Sequence, residues 1–250
     1  MDTMPTLDSD LLRQTKIELA AACRWAARLE LQSGVCNHFS VAVPGRPDLM
    51  LINPEGYFWS EVTVGSLVTA THDGTVVSGN GNTVELTAFC IHAPVHRLLP
   101  QATAVLHTHM PHATAICTRA GGVVAPTYLS ATSLYGSIGY DRGFQGAALT
   151  PAEGERLAGL LGNNVVLMME NHGPLVVGGT LGEALLRLVY LEETCRIQLL
   201  AEAGGAKLQP IRNDLLVRDH DDAARFTDYG RTFMTAVIRR LTREEPEFLN

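Results

Sequence analysis

The sequence predicts an α/β fold organised as one domain. Two capping boxes, Thr150-Pro151-Ala152-Glu153 and Thr180-Leu181-Gly182-Glu183, open helices, and between and before them lie short apolar, strand-like runs separated by turn signals. The third observation is Leu106-His107-Thr108-His109-Met110-Pro111-His112, where two imidazoles two residues apart close an apolar run, Ala102 to Leu106, that reads as a buried strand. Residues i and i+2 of an extended chain share a face, so His107 and His109 are expected side by side at a strand mouth, with Pro111 starting the next helix.

In chain order, Ser9 to Gln32 carries Leu12, Ile17, Leu19, Ala22, Trp25, Ala26 and Leu29 mostly at three- and four-residue steps, an amphipathic helix that Gly34 stops. Phe39–Val43 and Leu49–Asn53 read as strands joined through Pro44-Gly45-Arg46-Pro47. After Asn53-Pro54-Glu55-Gly56 a short helical piece begins near Thr63, and Leu67–Thr71 and Thr75–Ser78 flank the hairpin signal His72-Asp73-Gly74. Thr83 to Leu99 looks helical, with a kink or early stop expected at Pro94, which lacks the backbone donor. The helix from Thr150 closes at Gly162, and the one from Thr180 runs to about Ala203. Between them Val165–Met169 and Leu175–Val177 read as strands bracketing Glu170-Asn171-His172-Gly173. The last 30 residues read as an exposed helix approached through Arg218-Asp219-His220-Asp221-Asp222, so residues 206–250 form a C-terminal extension, and 1–8 a flexible N-terminus.

Bulk properties narrow the function. At 250 residues, 46% hydrophobic and 18% charged, the chain is an ordinary globular one, and no apolar run reaches the roughly 18 residues that suggest a membrane span. A formal charge of −7 gives no basic footprint for nucleic acid, so a small-molecule partner is expected. The N-terminus shows no secretory signal, and five cysteines without a C-x-x-C pair point to reduced thiols in a cytoplasmic protein.

A third imidazole would complete a metal-binding face beside His107 and His109, and His172 is the natural candidate because it too follows a buried strand. Three neutral imidazoles with an open position form a catalytic site, whereas a structural one needs a fourth protein ligand. H-x-H spacing alone is weak evidence for either.

The segments Gly34-Val35-Cys36-Asn37-His38-Phe39-Ser40, Ile52-Asn53-Pro54-Glu55-Gly56, Val105-Leu106-His107-Thr108-His109 and Asn171-His172-Gly173 resemble, in order and separation, those of the class II aldolase/adducin family. The resemblance implies a three-layer α/β/α domain with a largely antiparallel sheet, and a homotetramer with active sites between subunits. It implies that His107, His109 and His172 hold a divalent ion, usually zinc, with manganese or iron as alternatives. It places Asn37, His38, Gly56 and Thr87 at the substrate.

The departures from the family pattern shape the expected chemistry. The family's acid/base glutamate falls on Ala88, and its two phosphate-binding serines on Leu86 and Thr87. A leucine offers a phosphate no donor, so a non-phosphorylated substrate is expected. Glu85, one helical turn earlier, either replaces the lost carboxylate or merely caps the helix. His92 and His38 each have two readings, a substrate contact or proton shuttle and a hydrogen-bonded scaffold. His96 and His112 read as structural, and His72 as a turn residue. Tyr135 resembles a family tyrosine that reaches the neighbouring subunit's site, and Glu170 either orients a ligand imidazole or is a solvated strand end.

The leading expectation is a metal-dependent lyase that cleaves a carbon–carbon bond, by retro-aldol reaction or decarboxylation, of a small carbonyl or hydroxy/carboxylic acid substrate through a metal-stabilised enolate. Two alternatives come from the same resemblance: a non-haem Fe(II) oxygenase, as in relatives from aminocoumarin biosynthesis, and a non-catalytic binding module like the adducin head.

Overall fold

The computed structural model describes residues 9–220 and 222–250, so the segment 1–8 expected to be flexible lies outside the described residues, as does Asp221 in the approach to the last helix. The elements are α1 (Ser9–Arg28), β1 (His38–Val43), β2 (Arg46–Ile52), β3 (Val68–Thr71), β4 (Val76–Ser78), α2 (Leu86–Leu98), β5 (Ala104–His107), α3 (Pro111–Cys117), β6 (Ile138–Asp141), α4 (Pro151–Leu161), β7 (Val166–Met169), β8 (Gly173–Gly178), α5 (Leu181–Glu202), α6 (Asn213–His220) and α7 (Ala223–Glu244).

The strands form one sheet in the order β4-β3-β2-β1-β5-β8-β7-β6. Neighbours are antiparallel except β6, which runs parallel to β7. The central strands are buried on both faces because successive residues feed opposite layers. Ala104, Leu106, Val166, Met168 and Val176 pack with α1, α3 and α5. Val105, Leu167, Met169, Leu175 and Val177 pack with α2 and α4. This makes the three α/β/α layers, each buried leucine or valine contributing about 1.5–3 kcal/mol of transfer free energy.

Several elements depart from the sequence expectations. The parallel edge strand β6 was not anticipated, because it is only four residues long and carries Gly139, a weak strand former, and α6 was not anticipated either. Helix α2 starts at Leu86, with Glu85 capping it, and continues through Pro94 to Leu98. Proline deprives the Cys90 carbonyl of its helical donor there, and Gly154 of α4 packs against that same oxygen, where a Cβ would stand only 1.9 Å away. The Thr180 box caps α5 as expected, its side chain accepting from the Glu183 amide at 3.2 Å. Thr150 makes no side-chain cap, and Glu153 instead joins Arg156. Helix α7 is not simply exposed. Its Met234, Val237 and Leu241 enter the core, and Gly230 lies against Gly182 of α5. Arg24 ties the C-terminal end down, donating to Glu245, Glu247 and the Val62 carbonyl at 2.8–2.9 Å. Among the described residues no helix is long and apolar enough to cross a membrane.

Candidate metal centre

The site lies where the end of β5, the start of β1 and the β7–β8 turn meet the N-terminus of α2. His107 is the last residue of β5 and pairs with His38 of β1 on one side and Leu175 of β8 on the other. His109 lies just beyond the strand rather than on it, so the two imidazoles meet edge to face, with ring centroids 5.0 Å apart. His172 enters from the β7–β8 turn, 4.8 Å from His107 and 5.0 Å from His109 between centroids. That turn needs Asn171 in the left-handed region (φ 54°), which asparagine tolerates, followed by Gly173 where β8 closes on the Thr108 carbonyl.

The donor set fits a divalent ion. One ligating nitrogen from each of the three histidines lies within 4.8 Å of the others. The His107 Nδ1 faces the Pro174 carbonyl at 3.0 Å, an oxygen that can only accept, so Nδ1 carries the proton and Nε2 is left with a free lone pair. That Nε2 stands 3.2 Å from Nε2 of His109. Nitrogens about 2.0–2.1 Å from a tetrahedral zinc are separated by about 3.3 Å, the same spacing within error. Burial also keeps the rings neutral, the form that ligates. It pushes His107 well below the usual imidazole range, lowers His109, and with the His109 charge takes His172 to about 4.

A cavity of about 370 Å³ opens over the triad, large enough for a small substrate. Of the expected substrate residues, His38, Gly56 and Thr87 line it, as does the candidate catalytic Glu85, together with Ile91 and the loop residues Ala147 and Ala148. Asn37 does not. Its side chain accepts from the Ser33 amide and donates to the Cys36 carbonyl, closing the loop. Ala88, at the family's glutamate position, packs on Ile52 and Val68 away from the cavity. Glu85 is both cap and site residue. Its carboxylate accepts from the Ala88 amide at 2.9 Å and from Thr87 Oγ1, and stands 3.9 Å from His38 Nε2. Burial would raise its pKa, but those hydrogen bonds and His38 hold it below the usual carboxylate range, so it is an anion at neutral pH.

His92 is fully buried behind His38 and reaches the cavity only through it, His38 Nδ1 and His92 Nε2 being 2.8 Å apart. Burial lowers His38 to about 3 against the opposing pull of Glu85. Tyr135 lies at the surface, its hydroxyl bonded to Asn213 at 2.6 Å, and does not line this cavity. The carboxylates whose charges reach His172 are Asp141, gripped by both terminal nitrogens of Arg156 at 2.6 and 3.0 Å, and Glu153, which the same Arg156 also holds; Glu170 is not bonded to a ligand imidazole among the described residues. Sequence reasoning missed Ser40 and Asp141, and read His96 as structural without its bonds to Ser40 and the Ala102 carbonyl. The i+2 spacing of His38 and Ser40 and the i+4 spacing of His92 and His96 were the available signals.

Comparison with known proteins finds the pattern described as the Class II Aldolase and Adducin N-terminal domain over residues 17–199. A Pseudomonas aeruginosa protein named as an aldolase class 2 protein is 31% identical over 242 residues, 94% of this chain and 92% of its own length. Two Streptomyces proteins are each 31% identical over 191 residues, 76% of this chain. One is the decarboxylase NovR of Streptomyces niveus, 70% of which is covered; the other is the 4-hydroxy-3-prenylphenylpyruvate oxygenase/4-hydroxy-3-prenylbenzoate synthase of Streptomyces roseochromogenus, 69% covered. The solved L-fuculose 1-phosphate aldolase of Glaciozyma antarctica superposes with a TM-score of 0.86 at 25% identity, covering 100% of this chain and 97% of that one.

Proposed function

The chain belongs to the class II aldolase and adducin family, and from that we propose that it is a divalent-metal-dependent lyase breaking a carbon–carbon bond of a small, non-phosphorylated carbonyl or hydroxy acid. The observation that carries this reading is the triad of neutral imidazoles, with His107 Nε2 bared by its Pro174 contact and 3.2 Å from His109 Nε2. Such an ion, zinc first and manganese or iron next, supplies Lewis-acid stabilisation of negative charge developing on a substrate oxygen.

The protein's own residues supply the proton chemistry and the fit. Glu85, anionic and on the cavity wall, takes the proton of a substrate hydroxyl as the carbon–carbon bond breaks, the role that Ala88 cannot fill. His38 contacts the substrate from the same wall, and His92 acts through His38. Gly56 and Thr87 shape the cavity, and Ile91 with Ala147 and Ala148 exclude water from it. The absence of phosphate-binding serines at Leu86 and Thr87, and Thr87's engagement with Glu85, favour an uncharged or carboxylated substrate over a sugar phosphate. By family analogy the enzyme is a cytoplasmic homotetramer in which Tyr135 serves a neighbouring protomer's site and protonates the carbanion.

The test is elemental analysis of untagged protein purified without chelator, set beside the His107→Ala/His109→Ala double variant. About one ion per chain in the wild type, lost in the variant, is expected, with aldol cleavage or decarboxylation depending on it. A wild type that takes up no ion after incubation with zinc, manganese and iron would refute the reading. Stoichiometric iron with oxygen consumption would replace lyase by oxygenase chemistry, a reading to which the Streptomyces roseochromogenus relative lends support.

A further inference from the structure

A line of polar groups, buried at one end and half-buried at His96, runs inward from the cavity wall: His38 Nδ1 to His92 Nε2 at 2.8 Å, His92 Nδ1 to Ser40 Oγ at 2.5 Å, Ser40 Oγ to His96 Nε2 at 2.7 Å, and His96 Nδ1 to the Ala102 carbonyl at 2.8 Å. Each imidazole could in principle donate from either nitrogen, but the far end of the line removes the choice. A carbonyl oxygen only accepts, so His96 carries its hydrogen on Nδ1 and, being neutral, has a bare Nε2. Ser40 must donate its single hydrogen to that Nε2, which leaves its oxygen as an acceptor. His92 therefore donates from Nδ1 and accepts at Nε2, and His38 donates from Nδ1.

The consequence falls at the cavity. His38 Nε2 is left bare and faces the Glu85 carboxylate at 3.9 Å, too far for a hydrogen bond between them. The neighbouring hydroxyl, Thr87 Oγ1, already gives its hydrogen to Glu85. This wall thus presents two adjacent acceptors with a gap between them.

We propose that the His38–Glu85 wall is a hydroxyl-binding subsite, and that His92, Ser40 and His96 are positioning residues holding His38 in the tautomer that accepts there. The inference rests on the proposed lyase reading for the rest of the substrate, and it names the group presented to the wall beside the triad, where the His38 ring lies 5.0 Å from that of His107: a hydroxyl donor. A carboxylate or phosphate brings only acceptors, so it is disfavoured at the position between His38 Nε2 and Glu85 relative to a hydroxyl. The arrangement also explains why His92 and Ser40 are fully buried beside an apolar layer, with His96 half-buried behind them.

Two experiments test it. The first is two-bond ¹H–¹⁵N correlation spectroscopy of histidine-labelled protein, with or without zinc, which reports which nitrogen of each ring carries hydrogen. His38 and His92 are expected with hydrogen on Nδ1 only. In Ser40→Ala, where His92 Nδ1 loses its acceptor, both rings are expected to switch to hydrogen on Nε2, and Ser40→Thr, which keeps the hydroxyl, is expected to restore the wild-type pattern. A wild-type His38 carrying hydrogen on Nε2, or no change in Ser40→Ala, would overturn the positioning role.

The second is calorimetric titration of the zinc-loaded protein with glycerate, lactate and tartronate, which share an α-hydroxycarboxylate head and differ in presenting a hydroxymethyl, a methyl or a second carboxylate. Glycerate is expected to bind about tenfold more tightly than lactate and tartronate most weakly, with the penalty on tartronate shrinking in Ser40→Ala, whose His38 can donate. Tartronate binding as well as glycerate would overturn the subsite. The spectroscopic test needs no ion, so a chain that holds none of zinc, manganese and iron refutes the lyase reading while the tautomer assignment is judged on its own.

Discussion

Gly173 lies so close beneath the Thr108 carbonyl that a Cβ built on it would stand 2.5 Å from that oxygen and 3.2 Å from Cδ2 of His109. One close approach between the start of β8 and the end of β5 therefore sets the distance between His172 and the other two imidazoles. Gly173→Ala should push the strands apart, destabilising the fold by about 1–3 kcal/mol. Metal affinity should fall by more than stability alone explains, read by competition with a chelating dye under conditions where circular dichroism shows the variant folded.

Glu85 serves both the cavity and the helix, and substitutions separate the two. Glu85→Gln keeps an oxygen for the Ala88 amide but loses the base, so turnover should drop about 10²–10⁴-fold with metal content unchanged. Glu85→Ala should in addition lose about 1 kcal/mol of capping energy in a urea titration.

Stability should begin to fall as acid is added from about pH 6.5, above the ordinary carboxylate range. Burial takes His96 to about 4, while in the unfolded chain it titrates near 6.5. Between those values the unfolded chain binds a proton that the folded chain refuses. The contribution is therefore complete above about pH 6.5, lost progressively down to about pH 4, and constant below, amounting to at most about 3 kcal/mol. His38 and His92, also lowered by burial, act in the same direction. Urea titrations across this range should show the slope, and His96→Gln should make it shallower.

The α5–α7 crossing is a backbone contact. A Cβ on Gly182 would stand 2.5 Å from the Gly230 carbonyl oxygen, and one on Gly230 would stand 2.8 Å from the Glu183 amide nitrogen. Gly230→Val should cost about 1–3 kcal/mol in chemical denaturation, which a merely exposed C-terminal helix would not register.

The sequence by itself determined the elements whose signals are local. Thr180 with Glu183, the glycine and proline turns, and continuous apolar runs such as Val166–Met169 reveal helices and strands because caps and burial of a short strand on both faces act over a few residues. The triad was legible for the same reason, since His107 and His109 close one buried run and His172 follows another, in segments with family likeness. Tertiary structure alone decided the rest. The β6 edge strand exists because β7 offers it a partner, Pro94 stays helical because Gly154 packs at the carbonyl it frees, and α7 is half buried because Gly182 admits Gly230. The site divides in the same way. His38 and Ser40 share a strand face and His92 and His96 a helix face, but only the packing of α2 on β1 joins the two pairs into one hydrogen-bonded line. Which way that line points is set by the Ala102 carbonyl, a backbone group that no side-chain pattern reveals.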